Sequence, residues 1–526
     1  MATAPAIVGT NSPFRLESSV DVGPLRRALK AAGYTQPALV ATVDATSSGG
    51  RLDAELVLRR TQSPTPYHTL VRLFLLRREV PLESARVALA PASLEDLFEI
   101  GLLEPADGGV RSVATLVCLE DLVVAHDSEA AGQPLRSDHV LGVGAASMTL
   151  ANLTVRRPIE AALDLGTGSG IQALLASPHA RRVIATDTNP RALNFAAFNA
   201  RLNEISNVEL RQGSLYEPVE AERFDLIAAN PPFVVSPAPR YAYRDSGMRG
   251  DAISEQVIRG APGVLREGGF CTVLFNWHHS GDDDWGRRPL DWVRGSGCDA
   301  WILRYETTDP ACYAATWLRQ TEGRDPAAYS RALDEWLAYY EELGIEQLSY
   351  GAVILRRRSE GPNWIRAETF ESPRRAGSCG GQIERIFAAQ DLLQELGDDR
   401  KLLEQTLVLV PHHQMEMVLH AENGGWAVKS ARITHTTGLE FAGNVDRMVS
   451  TLLAGCDGRR PLRELVVELG RQAGMDYERL APVAAGIVRK MMQSGFLTPA
   501  NGAAAAFLPQ FGITWPFLPG GDGQAR

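Results

Sequence analysis

No two cysteines of this chain stand at C-x-x-C spacing. The six present, Cys118, Cys271, Cys298, Cys312, Cys379 and Cys456, are scattered along its length. That pattern excludes a disulfide framework and a cysteine-rich zinc site, and it fits reduced thiols in a cytosol. The neighbouring histidines His278/His279 and His412/His413 lack partners at ligand spacing, so no metal is expected. Long apolar runs are missing as well. No window approaches the ~18 uninterrupted apolar residues of a membrane span. The opening MATAPAIVGTNSPF has no basic segment followed by an apolar core. The expected location is cytoplasmic, with no membrane partner. Positive charge is also in short supply. A formal net charge of −10 argues against a large nucleic-acid footprint, although a local basic patch is what decides.

What is present is the composition of a globular protein, 45% hydrophobic and 22% charged over 526 residues. That length suits about two to four domains. Residues 1–125 read as short helices with apolar residues at three- and four-residue spacing, broken by Pro81 and Pro91. A possible two-stranded wing follows in GGVRSVATLVCLEDLVVAHD, which suggests a winged-helix-like module. From Met1 to Glu104 acidic and basic residues are equal in number, so a docking or lid role competes with DNA reading.

Residues 126–365 alternate strand and helix, the mark of a parallel sheet with helices on both faces. The candidate strands are 161–166, 182–187, 207–213, 224–230, 269–277, 300–306 and 347–358, the last after a long helical insert. The run Arg356-Arg357-Arg358 at its end reads equally as a solvated strand end or a phosphate contact. A Gly/Ser/Pro-rich link leads into residues 366–500, a neutral α+β module ending in what resembles a second winged helix. Residues 501–526 read as a tail.

The first strand of the α/β region runs into LDLGTGSGIQALL. Gly166, Gly168 and Gly170 let the backbone turn tightly, approach a ligand and start a helix. Asp187 ends the second strand, 21 residues after Gly166, where a carboxylate accepts both ribose hydroxyls of an adenosine. A dinucleotide site prefers G-x-G-x-x-G, with helix N–H groups facing a pyrophosphate. Here the spacing is G-x-G-x-G, and Asp164 beneath the loop would repel a pyrophosphate while favouring a cationic ligand. S-adenosylmethionine, with its adenosine, sulfonium and amino-acid end, is such a ligand. An NAD-dependent oxidoreductase is disfavoured by the glycine spacing.

ALDLGTGSG, ATDTNPRAL and RQGSLYEP resemble, in order, the first three motifs of class I S-adenosylmethionine-dependent methyltransferases. The resemblance implies a Rossmann-like, seven-stranded, mostly parallel sheet and S-adenosyl-L-methionine as cofactor. It places Asp164, Gly166, Thr167, Gly168 and Gly170 under the cofactor, with Asp187 on the ribose. Thr188, Asn189, Ser214 and Leu215 become walls of the adenine pocket, although many relatives carry Asp where this chain has Ser214. Gly144, Ser147 or Thr149, upstream in SDHVLGVGAASMTLANLTVRRP, would cross near the cofactor.

The run IAANPPFVV ends the fourth strand, and its prolines cannot donate to a central ladder. By the same resemblance Asn230 faces the crevice where strand order reverses. The Asn230 side-chain oxygen and the Pro231 carbonyl would hold both hydrogens of a planar –NH₂ group. Pro232 fixes the backbone, and Phe233 stacks on the plane. The segment from GSLYEP through FDLIAANPPF resembles the release-factor glutamine methyltransferases and the wider small-domain N-methyltransferases. NFAAFNARLN carries their recurring asparagine at Asn199. Tyr241, Tyr243, Arg244 and Asp245 are candidates for the substrate mouth, with surface-loop roles the alternative. The expected activity is N-methylation of a macromolecule, protein glutamine ahead of an RNA or DNA base (adenine N6 or guanine N2). A regulatory protein that binds S-adenosylmethionine is the third reading.

Overall fold

The computed structural model of the chain describes residues 12–44, 53–128, 135–281, 285–323, 325–370, 377–422 and 425–500. The tail expected beyond residue 500 lies outside them. By its contacts the chain divides into two compact units, one holding residues 1–151 and 158–371 and the other residues 152–157 and 372–514. No helix among the described residues is long and apolar enough to cross a membrane.

The first unit is built on one mixed sheet of β1 (Ile159–Leu165), β2 (Ala180–Asp187), β3 (Val208–Gln212), β4 (Phe224–Ala229), β5 (Leu265–His279), β6 (Cys298–Thr308), β7 (Gln347–Arg357) and β8 (Ile365–Thr369). Its order is 3-2-1-4-5-7-6-8. The first five strands run parallel, β7 is antiparallel to both β5 and β6, and β8 runs parallel to β6. Strands covered on both faces must be apolar throughout, and Leu163, Leu165, Val183, Ile184, Leu226, Ile227, Val273 and Phe275 are all buried. The order reverses between β1 and β4, so their carboxyl ends open a crevice.

Seven strands were expected and eight are present. The sequence IRAET of β8 is only five residues long and only partly buried, and its apolar alternation is limited to Ile365 and Ala367. The helices α1 (Ile171–Ala176), α2 (Pro190–Leu202), α3 (Ala252–Val264), α4 (Arg287–Val293), α5 (Pro310–Thr321) and α6 (Pro326–Leu343) connect the strands. Three of them open on an Asx-Pro pair. Asn189, Asp309 and Asp325 each accept a backbone N–H of the first turn, and proline at N1 needs no donor. The arginine run of β7 is spoken for. Arg356 donates to the buried Asp299 (2.5 Å), Arg358 lies 3.4 Å from the same carboxylate, and Arg357 donates to Ser296 O (2.7 Å). These bonds fasten the end of β7 to the start of β6.

Residues 12–126 pack short helices and two hairpins against this sheet domain. The hairpin Thr115–Leu119/Leu122–His126 is no exposed wing. Leu116, Leu119 and Val124 are fully buried, and its outer strand pairs with α2 instead of solvent. Asn199 takes both backbone groups of Ala125 (2.7 and 2.9 Å), and Asn203 takes both of Val123 (2.9 and 2.7 Å). The spacing explains the match: four residues of helix rise ~6 Å, close to the ~6.8 Å of two residues of strand. Asn194 repeats the device on the N–H and C=O of Phe14 (3.0 and 2.9 Å). Phe14 also stacks on Phe198, ring centroids 3.9 Å apart. One hydrophobic core thus runs from Leu25 and Phe74 into Phe195, Phe198 and Leu202 of α2.

The second unit has its own core, formed by Leu402, Ile433, Leu453, Val466, Val488, Met492 and Phe496 among others. It contains two three-stranded sheets, 457–461/406–409/497–499 and 413–422/425–435/442–445, with helices Gly380–Leu396, Leu462–Ala473 and Tyr477–Gln493. The sequence expectation of a winged helix here rests on the last two helices and the short strand after them.

Candidate functional site

The glycine loop occupies the carboxyl end of β1. Gly166, Gly168 and Gly170 all have positive φ (74°, 55° and 88°), a region that side chains with a Cβ rarely adopt. The surroundings of Gly166 and Gly168 are open, the nearest atom to a Cβ on Gly166 being Asn230 O at 4.0 Å. At Gly170 a Cβ would meet the Ala196 methyl at 3.0 Å, so this glycine sets the approach of α2 to the loop. Thr167 and Ser169 are buried between them, and the amide of Asn199 reaches Ser169 O at 2.8 Å. The asparagine that holds the N-terminal hairpin therefore also holds the glycine loop.

Asp164 lies beneath the loop, 3% exposed, and braces it by accepting from Thr167 Oγ1 (2.6 Å) and the Ala173 N–H (2.9 Å). Burial pushes its carboxyl up to about 6, against these two bonds, and the nearby Asp187 adds to the rise. Asp187, half-buried, accepts from the N–H groups of Gly168 and Asn189, both at 2.9 Å. Its carboxyl is also raised by burial, opposed by those backbone bonds. Two acids that both resist ionisation flank an open glycine loop. A ligand with a positive charge relieves both, and this fits an ammonium- and sulfonium-bearing adenosine better than a pyrophosphate.

The remaining walls follow β2 and β3. Thr188 is exposed, and its carbonyl accepts from Gln212. Asn189 spends its side chain on the cap of α2 (Arg191 N, 3.0 Å) and on Asp138 O (3.0 Å). The Gly213 N–H bonds to Asp187 O (3.1 Å), and Leu215 sits at φ 49°, a strained value for a side chain of that size. Tyr216 holds this turn by donating to Val257 O (2.8 Å) and lying against Gly260 of α3. Ser214 is half-buried beside it. Ser147, in the helix Ala145–Leu153, gives its carbonyl to Gln172 of α1 (2.7 Å), and Gly144 caps the start of that helix through Met148 N (3.0 Å). Thr149 lies half-buried on the same helix.

Strand β4 ends at Ala229, and Asn230 is the first residue beyond the ladder. Its Oδ1 is buried and has no hydrogen-bond partner among the described residues. Such a group costs about 1–3 kcal/mol, which a donor from a bound molecule recovers. Pro231 is buried, Pro232 half-buried, and Phe233 is 8% exposed with its ring 5.8 Å from Tyr350 of β7. The chain then doubles back, with a bridge between Phe233 and Asp245 and a bond from Val234 N to Arg244 O (3.1 Å). Asp245 gathers that loop by accepting from Ser236 Oγ, the N–H groups of Arg240 and Tyr241, and Arg244. Tyr241 and Tyr243 lie together in the same loop (5.8 Å), with His139 5.9 Å from Tyr243.

The structure thus brings Asp164, the glycines, Asp187, Leu215 and Asn230 to one end of the parallel strands. Arg244 and Asp245 instead form a buried ion pair inside the loop. Several residues that shape the site lack a motif signal. Arg191 pairs with Asp127 (2.8 and 2.5 Å) at the start of α2, and Tyr313 and Tyr340 hold the chain after Phe233. The Asp-Pro openings of α5 and α6 are the sequence signal that marks the helices carrying those tyrosines.

Comparison with known proteins bears on the same part of the chain. The methyltransferase small domain family model matches residues 142–283. Two further models, each described as a domain of unknown function, match residues 31–113 and 384–499. The release factor glutamine methyltransferase of Xylella fastidiosa is 38% identical over 127 residues, 22% of this chain and 46% of the relative. That of Moorella thermoacetica is 39% identical over 149 residues, 26% of this chain and 50% of its own. The ribosomal protein uL3 glutamine methyltransferase of Bradyrhizobium diazoefficiens is 31% identical over 174 residues, 30% and 53% of the two chains. The chain spans about half the length of these relatives. Over residues 142–283 the chain is thus similar to the methyltransferase small domain, and these matches support a class I, S-adenosylmethionine-dependent methyltransferase.

Proposed function

We propose that the chain is an S-adenosylmethionine-dependent N-methyltransferase whose acceptor is the side-chain amide of a protein glutamine. The observation that carries this reading is the buried, unpartnered Asn230 Oδ1 beside the open glycine loop. Asp187 would take the ribose hydroxyls, the turn at Ser214 and Leu215 the adenine, and Asp164 the cationic end through the loop it braces. The cofactor supplies a methyl already activated by its sulfonium. The site's task is then to place a nitrogen in line with that methyl and to favour the charge developing on it.

Asn230 Oδ1 and the Pro231 carbonyl would accept the two amide hydrogens, which holds the –NH₂ plane and turns the nitrogen lone pair toward the methyl. The acceptor nitrogen, held by these two oxygens, would take the methyl that the bound cofactor supplies and would pass its proton to water. Phe233 would stack behind the acceptor plane, and no side chain needs to act as a strong base. Glutamine is preferred over a base because the relatives named above act on glutamine and the flanking modules carry no excess of basic residues. Those modules would dock the macromolecule.

The test is incubation of the protein with radiolabelled S-adenosylmethionine and cell extract, followed by separate protease and nuclease digestion. Protease-sensitive label supports the reading. Nuclease-sensitive label moves the acceptor to a base. Tight cofactor binding with label in neither fraction makes the chain a cofactor-binding regulator.

A further inference from the structure

The helices α5 and α6 lie outside the matched small domain, yet they grip the chain that leaves Asn230 at point after point. Both backbone groups of Val235 are taken by tyrosine hydroxyls: its N–H donates to Tyr313 (3.2 Å), and its C=O accepts from Tyr340 (2.8 Å). Tyr313 is also held by the amide of Asn276 on β5 (2.6 Å). Farther along, Arg240 pairs with Glu322 (2.9 Å), and the guanidinium of Arg244 lies over Trp336 (5.4 Å). Arg249 pairs with Glu342 (2.8 Å), and the Gly250 N–H donates to Tyr339 (2.9 Å). The two helices brace each other through Tyr313 and Tyr340, ring centroids 6.2 Å apart.

These contacts share a target. They fall on residues 235–250, which run from the acceptor side of the site to the start of α3, and none of them falls on the glycine loop, Asp187 or the turn at Leu215. Tyr313 and Tyr340 are 6% and 1% exposed, and burial raises both phenols, to about 12 for Tyr313. Each therefore stays protonated at neutral pH, and removing its oxygen deletes a hydrogen bond without deleting a charge.

We propose that α5 and α6 form an acceptor-side clamp in which Tyr313 and Tyr340 are positioning residues: they fix the strand that follows Asn230-Pro-Pro-Phe and so the geometry in which the acceptor nitrogen is presented. The proposal rests on the N-methyltransferase reading, but half of its test does not. Tyr313→Phe and Tyr340→Phe keep the rings and lose the bonds to Val235. Hydrogen exchange of peptides covering 231–251 in these variants should speed up about fivefold or more, since a lost tether frees a local opening. The dissociation constant for S-adenosylhomocysteine should stay within about twofold of wild type. With a recombinant peptide-chain release factor as acceptor, kcat should fall about tenfold while KM for S-adenosylmethionine holds, as expected when reacting atoms are misplaced rather than unbound. Glu342→Gln, on the exposed side of α6, gives a milder version if a tyrosine variant fails to fold. Unchanged exchange over 231–251, or a fall in S-adenosylhomocysteine affinity that matches the loss of rate, overturns the clamp. A wild-type protein that labels no acceptor overturns the methylation reading, and exchange still decides whether the helices hold this segment.

Discussion

Asp164 carries a pH dependence that a single substitution isolates. Its carboxyl is almost fully buried and stands near 6 in the folded chain, against 3.8 as its ordinary value. A folded-state value raised above the unfolded one means that the folded protein binds the proton more tightly. The contribution to stability is complete below pH ~4 and is lost as pH rises through about 6. A shift of about two units corresponds to about 3 kcal/mol. Asp164→Asn removes the titration while leaving an oxygen to accept from Ala173 N and Thr167 Oγ1. Urea unfolding followed by tryptophan fluorescence suits the measurement, because Trp277, Trp285, Trp292, Trp301, Trp317, Trp336 and Trp364 all belong to the unit that holds Asp164. Without cofactor, the wild type should lose about 3 kcal/mol more than Asp164→Asn between pH 4 and 7. With saturating S-adenosylmethionine the gap should narrow, because a cation beside the carboxylate favours its charged form. Parallel stability curves for the two proteins across this range would refute the burial argument.

Three further outcomes follow from the same geometry. Asn199→Ala strands the N–H and C=O of Ala125 as well as Ser169 O, and should cost about 2–4 kcal/mol in the same unfolding assay while weakening cofactor binding through the loop. Arg191→Met leaves the buried Asp127 unpaired and should cost about 3–5 kcal/mol. Burial alone would raise that carboxyl, but Arg191 outweighs it and holds it below its ordinary value, so wild-type stability from this pair is present above about pH 4 and lost toward lower pH. Gly170→Val combines a φ of 88° with a methyl group at 3.0 Å, and calorimetry should show cofactor affinity falling at least tenfold as α2 is pushed off the loop.

Much of the small domain was legible because its signals are local. Glycines at positive φ, an acid at a strand end and Asn-Pro-Pro after an apolar run each name their own backbone task. Most of strands β1 to β7 were readable for the same reason, as apolar runs between turn residues, while β3 shows only the alternation of Val208 and Leu210. What stayed hidden depends on partners far away in sequence. The eighth strand carries only a two-residue apolar alternation, Ile365 and Ala367, and forms where β6 offers an edge to Ile365–Thr369. The supposed wing carries the right alternation, but Asn199 and Asn203 bury its outer strand, a pairing that only the match of helix rise to strand rise reveals. Arg244 and Asp245 read equally as a substrate mouth or as surface-loop residues, and the structure holds them as a buried ion pair, since adjacent opposite charges can satisfy each other under a loop. Tyr313 and Tyr340 carry no motif and act through the backbone of Val235, which no sequence pattern records.

The central claim is that Asn230 presents a protein amide nitrogen to an activated methyl group. The most direct measurement compares wild type with Asn230→Ala in transfer of radiolabel from S-adenosylmethionine to protein, with acid hydrolysis of the labelled fraction and cofactor affinity measured alongside. The account predicts protease-sensitive label recovered as methylamine from a methylated glutamine, at least about a hundredfold slower transfer in Asn230→Ala, and S-adenosylhomocysteine binding within a few-fold of wild type. Equal transfer by the two proteins, or label that resides in nucleic acid, would contradict it.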